Sequence, residues 1–118
     1  MTIKEIPEKR QWSLEGARAL MDEVRERTGR AADQVDELLK EREGIAEDSG
    51  NRTALDARIR TAVSGWVRSM EALGVEVKGL WLIDFDNGSG YYCWRWPETE
   101  LAYFHGYEEG FDDRIRIQ

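Results

Sequence analysis

The feature that most constrains this chain is a change of hydrophobic period near residue 75. Before it, apolar side chains recur every three or four residues; after it, they alternate. The first pattern buries one stripe of a helix, and the second buries one face of a strand. The same point divides the aromatic residues, because only Trp12 and Trp66 precede residue 80. No Pro- or Ser-rich linker falls there, so the 118 residues read as a single domain in two layers. The expected class is α+β: a long antiparallel helical hairpin at 13–73, then a three- or four-stranded antiparallel sheet at 75–118 packed on it. Residues 1–12 read as an N-terminal extension.

In the first half, Ser13 is placed to cap a helix, its hydroxyl accepting from a free first-turn amide. Leu14, Ala17, Met21, Val24, Thr28, Ala31, Val35 and Leu38 then keep one stripe in phase. Gly29 lies inside that stripe and costs about 1 kcal/mol relative to alanine. The stripe keeps its phase across it, which predicts one helix over 13–46, with a break at Gly29 as the competing expectation. "EDSGN" at 47–51 reads as a turn. Leu55, Ile59, Ala62, Trp66, Met70 and Leu73 mark a second helix over 51–73, with Gly74 as its stop. Residues 13–48 carry a net charge of -5 and residues 50–74 a net +2, by count of 11 acidic against 6 basic and 2 against 4. Arg58, Arg60 and Arg68 are therefore expected to lean toward the acidic first helix.

The second half reads as a meander of "LWLIDF", "YYCWRW", "LAYFH" and "RIRIQ". With loops at 87–90 and 97–100, and Pro97 at the first corner of the second, each strand presents two faces. Trp81, Ile83, Phe85, Tyr92, Trp94, Trp96, Leu101, Tyr103 and His105 would share one. Leu82, Asp84, Cys93, Arg95, Ala102 and Phe104 would share the other. A slip of one residue in either turn swaps a strand between faces.

A formal charge of -7 repels nucleic acid and anionic lipid, and no basic patch offsets it. A single cysteine forms no intramolecular disulfide. The opening "MTIKEIPEKRQW" has no apolar signal core, and "LWLI" ends at Asp84, far short of a membrane span. These features predict a soluble cytoplasmic protein with no nucleic-acid and no membrane partner.

From these residues the chain resembles a family of bacterial proteins known as domain of unknown function 2203. The family's opening segment, an aromatic-Thr-x-Glu-x-Ala-x-x-Leu-Leu run, is matched by Trp12, Ser13, Glu15, Ala17, Leu20 and Met21. Gly74, Val77 and Lys78 match a Gly-x-x-Val-Lys segment, and Leu82, Asp84 and Phe85 a Leu-x-Asp-Phe segment. Cys93, Trp94, Arg95 and Glu98 match Cys-Trp-Arg-x-Gly-Glu, with Pro97 in place of its glycine. Phe104 and His105 align with a Trp-His pair, with Phe104 in place of its tryptophan and, earlier, Asp86 in place of a proline; Gly110, Phe111 and Arg114 match a terminal Gly-Phe-x-x-Arg. The resemblance implies the fold and brings no activity with it.

The candidate ligand-binding residues are Asp84, Cys93, Arg95, Glu98, His105 and Arg114, and all six stand on those matched positions. Asp84 and Arg95 are expected as a diagonal ion pair that fixes strand register, or that holds an anionic ligand. Asp84, Cys93, Glu98 and His105 have the chemistry of zinc ligands. However, there is no Cys-x-x-Cys, no His-Glu-x-x-His and one histidine, and the register above puts Cys93 and His105 on opposite faces. The expectation is accordingly no metal and no cofactor. "DFDNGSGYYCWR" fails as a calcium loop, with Arg95 where glutamate is required, and no base is placed beside Cys93 for nucleophilic catalysis.

Two function classes remain. The first is a homo-oligomeric interaction or assembly module, a homodimer in its simplest form. The second is a small anionic ligand-binding or metal-dependent enzyme with its site around Asp84, Arg95 and His105. The first class follows from length: a helix over 14–46 spans about 50 Å, longer than the body of roughly 35 Å that a compact chain of this size provides.

Overall fold

The computed structural model describes residues 10–118. Two helices form an antiparallel hairpin, α1 from Leu14 to Glu43 and α2 from Gly50 to Ala72. Ser13 caps α1 by accepting from the Gly16 amide at 3.0 Å, as its position predicts. Gly74 ends the second helix in the left-handed region at φ 89°, a conformation that only glycine adopts without strain. α1 stops three residues short of the expected 46, at Gly44. Its buried stripe runs through Ala17, Met21, Val24, Thr28, Ala32, Val35 and Leu38, with Ala32 in the place expected for Ala31.

Gly29 does not break α1. It is buried, and a Cβ there would lie 2.9 Å from the Trp96 ring, so the glycine is the seat of a tryptophan from the sheet side. Burial of that indole against the helix offsets the helical cost of glycine.

Five strands follow, in the order β1 (Glu76–Gly79), β2 (Leu82–Asp86), β3 (Tyr91–Arg95), β4 (Tyr103–His105) and β5 (Ile115–Arg116), each antiparallel to the next. The strand beyond the expected three or four is β1, where Val75 and Val77 alternate with Glu76 and Lys78. The inner face buries Ile83, Phe85 and Trp94 against Met21, Val24, Trp66 and Met70 of the hairpin. Trp12, assigned to the extension, belongs to this core. Its amide donates to Asp86 O at 2.7 Å, its indole to Gly74 O at 3.1 Å, and its ring meets Phe85 edge-on. The rest of the extension, 1–9, lies outside the described residues.

The first loop closes as expected, so Phe85 pairs with Tyr92 and Asp84 with Cys93. The second does not. β3 ends at Arg95 and β4 begins at Tyr103, with Tyr91 opposite His105 and Cys93 opposite Tyr103. The register is one residue away from that expected, and Tyr103 and His105 move to the other face while Phe104 joins the inner one. The cause lies in α1. Arg25 donates to Thr99 O at 3.0 Å and Arg18 to Leu101 O at 3.2 Å, so the returning segment is bound to the helix before it reaches β3. Leu101 and Ala102 are both buried, which strict alternation does not allow. Pro97 sits at the third position of an Arg95–Glu98 turn, after a cis bond, and not at the first corner.

Charge within the hairpin is also arranged differently from expectation. Arg42 of α1 pairs with Asp56, and Arg27 reaches Ser69 at 2.9 Å. Among the described residues, Arg58, Arg60 and Arg68 form no ion pair. Among the described residues no helix is long and apolar enough to cross a membrane.

Candidate functional site

Strand alternation places the site on the face of the sheet turned away from the hairpin. Ile83 and Phe85 of β2 turn inward, which leaves Asp84 outward. Trp94 of β3 turns inward, which leaves Cys93 and Arg95 outward. The observed β4 register then brings His105 to the same face as Cys93. The chain from Gly106 to Arg114 folds back over this face, and Asp84, Cys93 and His105 are left 2 %, 1 % and 3 % exposed.

The carboxylate, thiol and imidazole ligand atoms of these three residues all lie within 4.8 Å of one another. His105 Nδ1 lies 2.9 Å from Gly106 O. A carbonyl only accepts, so Nδ1 carries the proton of this bond. His105 Nε2 is thereby aimed at Asp84 Oδ2, also at 2.9 Å. The second carboxylate oxygen, Asp84 Oδ1, is buried and takes no bond from an N–H or O–H donor, and the Cys93 thiol beside the carboxylate is a weak donor. An orphaned oxygen of this kind is costly to bury. Burial pushes the Asp84 carboxyl above its ordinary range, against the opposing pull of the Cys93 thiol and His105. Burial, and next the charge of Asp84, push the Cys93 thiol up to about 12.

A cavity of about 180 Å³ adjoins the three side chains. Lys78, Leu82, Glu109, Gly110 and Phe111 complete its lining. Lys78 lies 3.3 Å from Glu76 and over the Tyr91 ring, so one cation is fixed at the edge of the site.

Of the other sequence candidates, Arg114 borders the site, its guanidinium opposing the rise of the Cys93 thiol, while Glu98 and Arg95 lie outside it. Glu98 and Arg114 form a two-toothed ion pair at 3.1 and 2.8 Å, and Glu98 also accepts from the Arg95 amide. The pair locks the second turn to the chain that covers the site. Arg114 also stacks on Phe111 and Tyr103. Arg95 is exposed, its guanidinium over Phe111, and the expected ion pair with Asp84 does not form: Asp84 faces His105. Lys78 and Glu109 escaped the sequence reading. For Lys78 a signal existed, because alternation through "VEVKG" puts Glu76 and Lys78 on the Asp84 side of β1.

The expectation of no metal site rested on the lack of Cys-x-x-Cys and His-Glu-x-x-His spacing, on the single histidine, and also on Cys93 and His105 occupying opposite faces. With the register corrected they share one face, and the last of these grounds is gone. The geometry disfavours a nucleophilic cysteine instead, since neither ring nitrogen of His105 is directed to the thiol as a base.

Fold and cluster together define a small α+β protein with one buried Asp–Cys–His constellation on the outer face of its sheet. The chain belongs to the family described as Uncharacterized conserved protein (DUF2203), whose model matches residues 10–117. No curated protein and no solved structure matches it.

Proposed function

We propose that this protein binds a transition-metal ion of the zinc type through Asp84, Cys93 and His105, with a further position open to a small ligand in the adjoining cavity. The observation that carries the reading is the pairing of His105 with Gly106. A metal-binding histidine commonly donates its other N–H to a carbonyl, which fixes the tautomer and aims the free nitrogen at the ion. Here that arrangement is built, and it points His105 Nε2 at the Asp84 carboxylate, with the Cys93 thiol within 4.8 Å of both.

The donor set suits the ion. Thiolate, imidazole and carboxylate are all zinc ligands, with bonds of about 2.0–2.3 Å. A tetrahedral shell of such bonds sets its donors roughly 3.3–3.7 Å apart, so the Nε2–Oδ2 pair at 2.9 Å opens slightly while the cluster as a whole, within 4.8 Å, draws in. One carboxylate and one thiolate neutralise a dication, so the filled site is uncharged overall and suited to burial. Magnesium and calcium, which prefer six or more oxygens, do not fit a site with one carboxylate. Three protein ligands leave a position for water or a small ligand, the pattern of a catalytic site more than of a closed structural one. An ion held by these three residues would supply Lewis acidity to a water or small ligand in the adjoining cavity. Lys78 favours an anionic group in the cavity.

Metal analysis of protein purified without chelator tests the reading. About one equivalent of zinc or a similar ion is expected, together with a rise in Tm on adding Zn2+ to the stripped protein. Both should vanish in His105→Ala and Cys93→Ser and persist in Arg95→Ala. Stripped protein whose Tm ignores Zn2+, Co2+ and Ni2+ would refute the metal site.

A further inference from the structure

Glu109 lines the cavity beside Asp84, Cys93 and His105, yet it lies outside their cluster of ligand atoms. Hydrogen bonds hold it there. Gly106 directly follows His105, and its carbonyl accepts from His105 Nδ1 at 2.9 Å and from the Glu109 amide at 3.1 Å. The Gly106 amide in turn donates to Glu109 Oε1 at 2.7 Å. One turn, 106–109, therefore fixes both the histidine tautomer and the Glu109 carboxylate. Among the described residues Glu109 forms no ion pair, and its Oε2 accepts no hydrogen bond. That oxygen is left to take a proton.

Lys78 is the cation on the same cavity, held by Glu76 at 3.3 Å and by the Tyr91 ring. Leu82 and Phe111 give it apolar walls. Its volume of about 180 Å³ holds about six groups of water size, at roughly 30 Å³ each. In a site that only bound an anion, the Glu109 carboxylate would be repulsive. In one that activates a water, a carboxylate outside the ligand shell is the group required.

Resting on the metal site proposed above, we propose that this cavity hydrolyses a small carboxylic ester or amide, with Glu109 as the proton acceptor. Glu109 Oε2 takes a proton from a water in the position left open by the three ligands, and the water oxygen bonds to the carbonyl carbon. The carbonyl π pair moves onto its oxygen, where Lys78 stabilises the negative charge. When that pair re-forms the double bond, the bond to the alcohol or amine breaks, and Glu109 returns its proton to the leaving group. No oxidant or reductant enters.

Acetohydroxamic acid tests this by binding, with no need of the natural substrate. It chelates an ion through two oxygens and must give up its proton, so its affinity reads out a base beside the ion. Added to the Co2+-loaded full chain, it should shift the visible bands and saturate. Glu109→Gln keeps an acceptor for the Gly106 amide and should fold and take up Co2+ as the wild type does. It should bind acetohydroxamic acid at least tenfold more weakly. Wild-type protein without cobalt bands would refute the metal site and this inference with it. Normal cobalt bands with no acetohydroxamic acid binding, or with equal binding in Glu109→Gln, would overturn the hydrolytic role alone.

Discussion

His105 Nε2 stands 2.9 Å from Asp84 Oδ2, and both side chains are almost fully buried. With Nδ1 donating to Gly106, the metal-free pair holds one proton between a neutral acid and a neutral imidazole, or becomes a buried ion pair. Burial raises the Asp84 carboxyl, so the stability tied to its protonated form is complete below its unfolded pKa and is lost as pH rises through the folded one. Ionised, the buried carboxylate is a liability that a metal ion would remove.

Asp84→Asn should therefore stabilise the metal-free protein. An asparagine amide donates to His105 Nε2 and carries no charge, so urea unfolding at neutral pH should show a gain on the order of 1 kcal/mol. The gain should shrink as pH falls below the ordinary carboxyl value of 3.8, where Asp84 is protonated in both states. The same variant should lose the Tm response to Zn2+. A stability loss at neutral pH would contradict this account of Asp84.

Cys93 gives an alkaline counterpart. Its folded pKa is about 12 against an ordinary value of 9.0. The stability contributed by the protonated thiol is fully present below pH 9 and is lost as pH rises toward 12. Metal-free wild type should weaken across that window in urea titrations, and Cys93→Ala should show a smaller slope.

Two glycines in helices should respond in opposite senses to alanine. Gly65 faces open space, so Gly65→Ala should gain about 1 kcal/mol from helix propensity alone. At Gly29 the new methyl would press on Trp96 at 2.9 Å, and Gly29→Ala should lower Tm despite the same propensity gain. Equal gains at both sites would remove Trp96 as the reason for Gly29.

Arg114 is a positioning residue for the covering segment. Its two bonds to Glu98 need the planar fork of a guanidinium, so Arg114→Lys should cost about 1–2 kcal/mol by denaturation. Zn2+ affinity should fall modestly, since no metal ligand is removed. A full loss of binding would show that Arg114, which also interacts with Cys93, is needed to hold the site and not only the covering segment.

The sequence carried local information well and long-range closure poorly. The helix boundaries, the Ser13 cap and the β2–β3 register follow from caps, periodicity and the Asn87–Gly90 loop, all written in neighbouring residues. The β4 register is set by Arg18 and Arg25, more than seventy positions away along the chain, and no local pattern reports that. One residue of slip decided whether Cys93 and His105 share a face. The candidate residues were therefore legible singly, and their convergence was not. Trp96 and Gly29 illustrate the same limit, because a glycine that reads as a helix breaker is a socket for a distant ring.

Cobalt(II) titration of the stripped full chain, followed by absorption spectroscopy, tests the central claim most directly. A tetrahedral site with one thiolate should give a near-ultraviolet thiolate-to-metal band and visible ligand-field bands that saturate near one equivalent. Zn2+ should displace them, and in Cys93→Ser the near-ultraviolet band should be absent. Wild-type protein that gives no such bands, or bands unchanged in Cys93→Ser, would contradict an ion held by Asp84, Cys93 and His105.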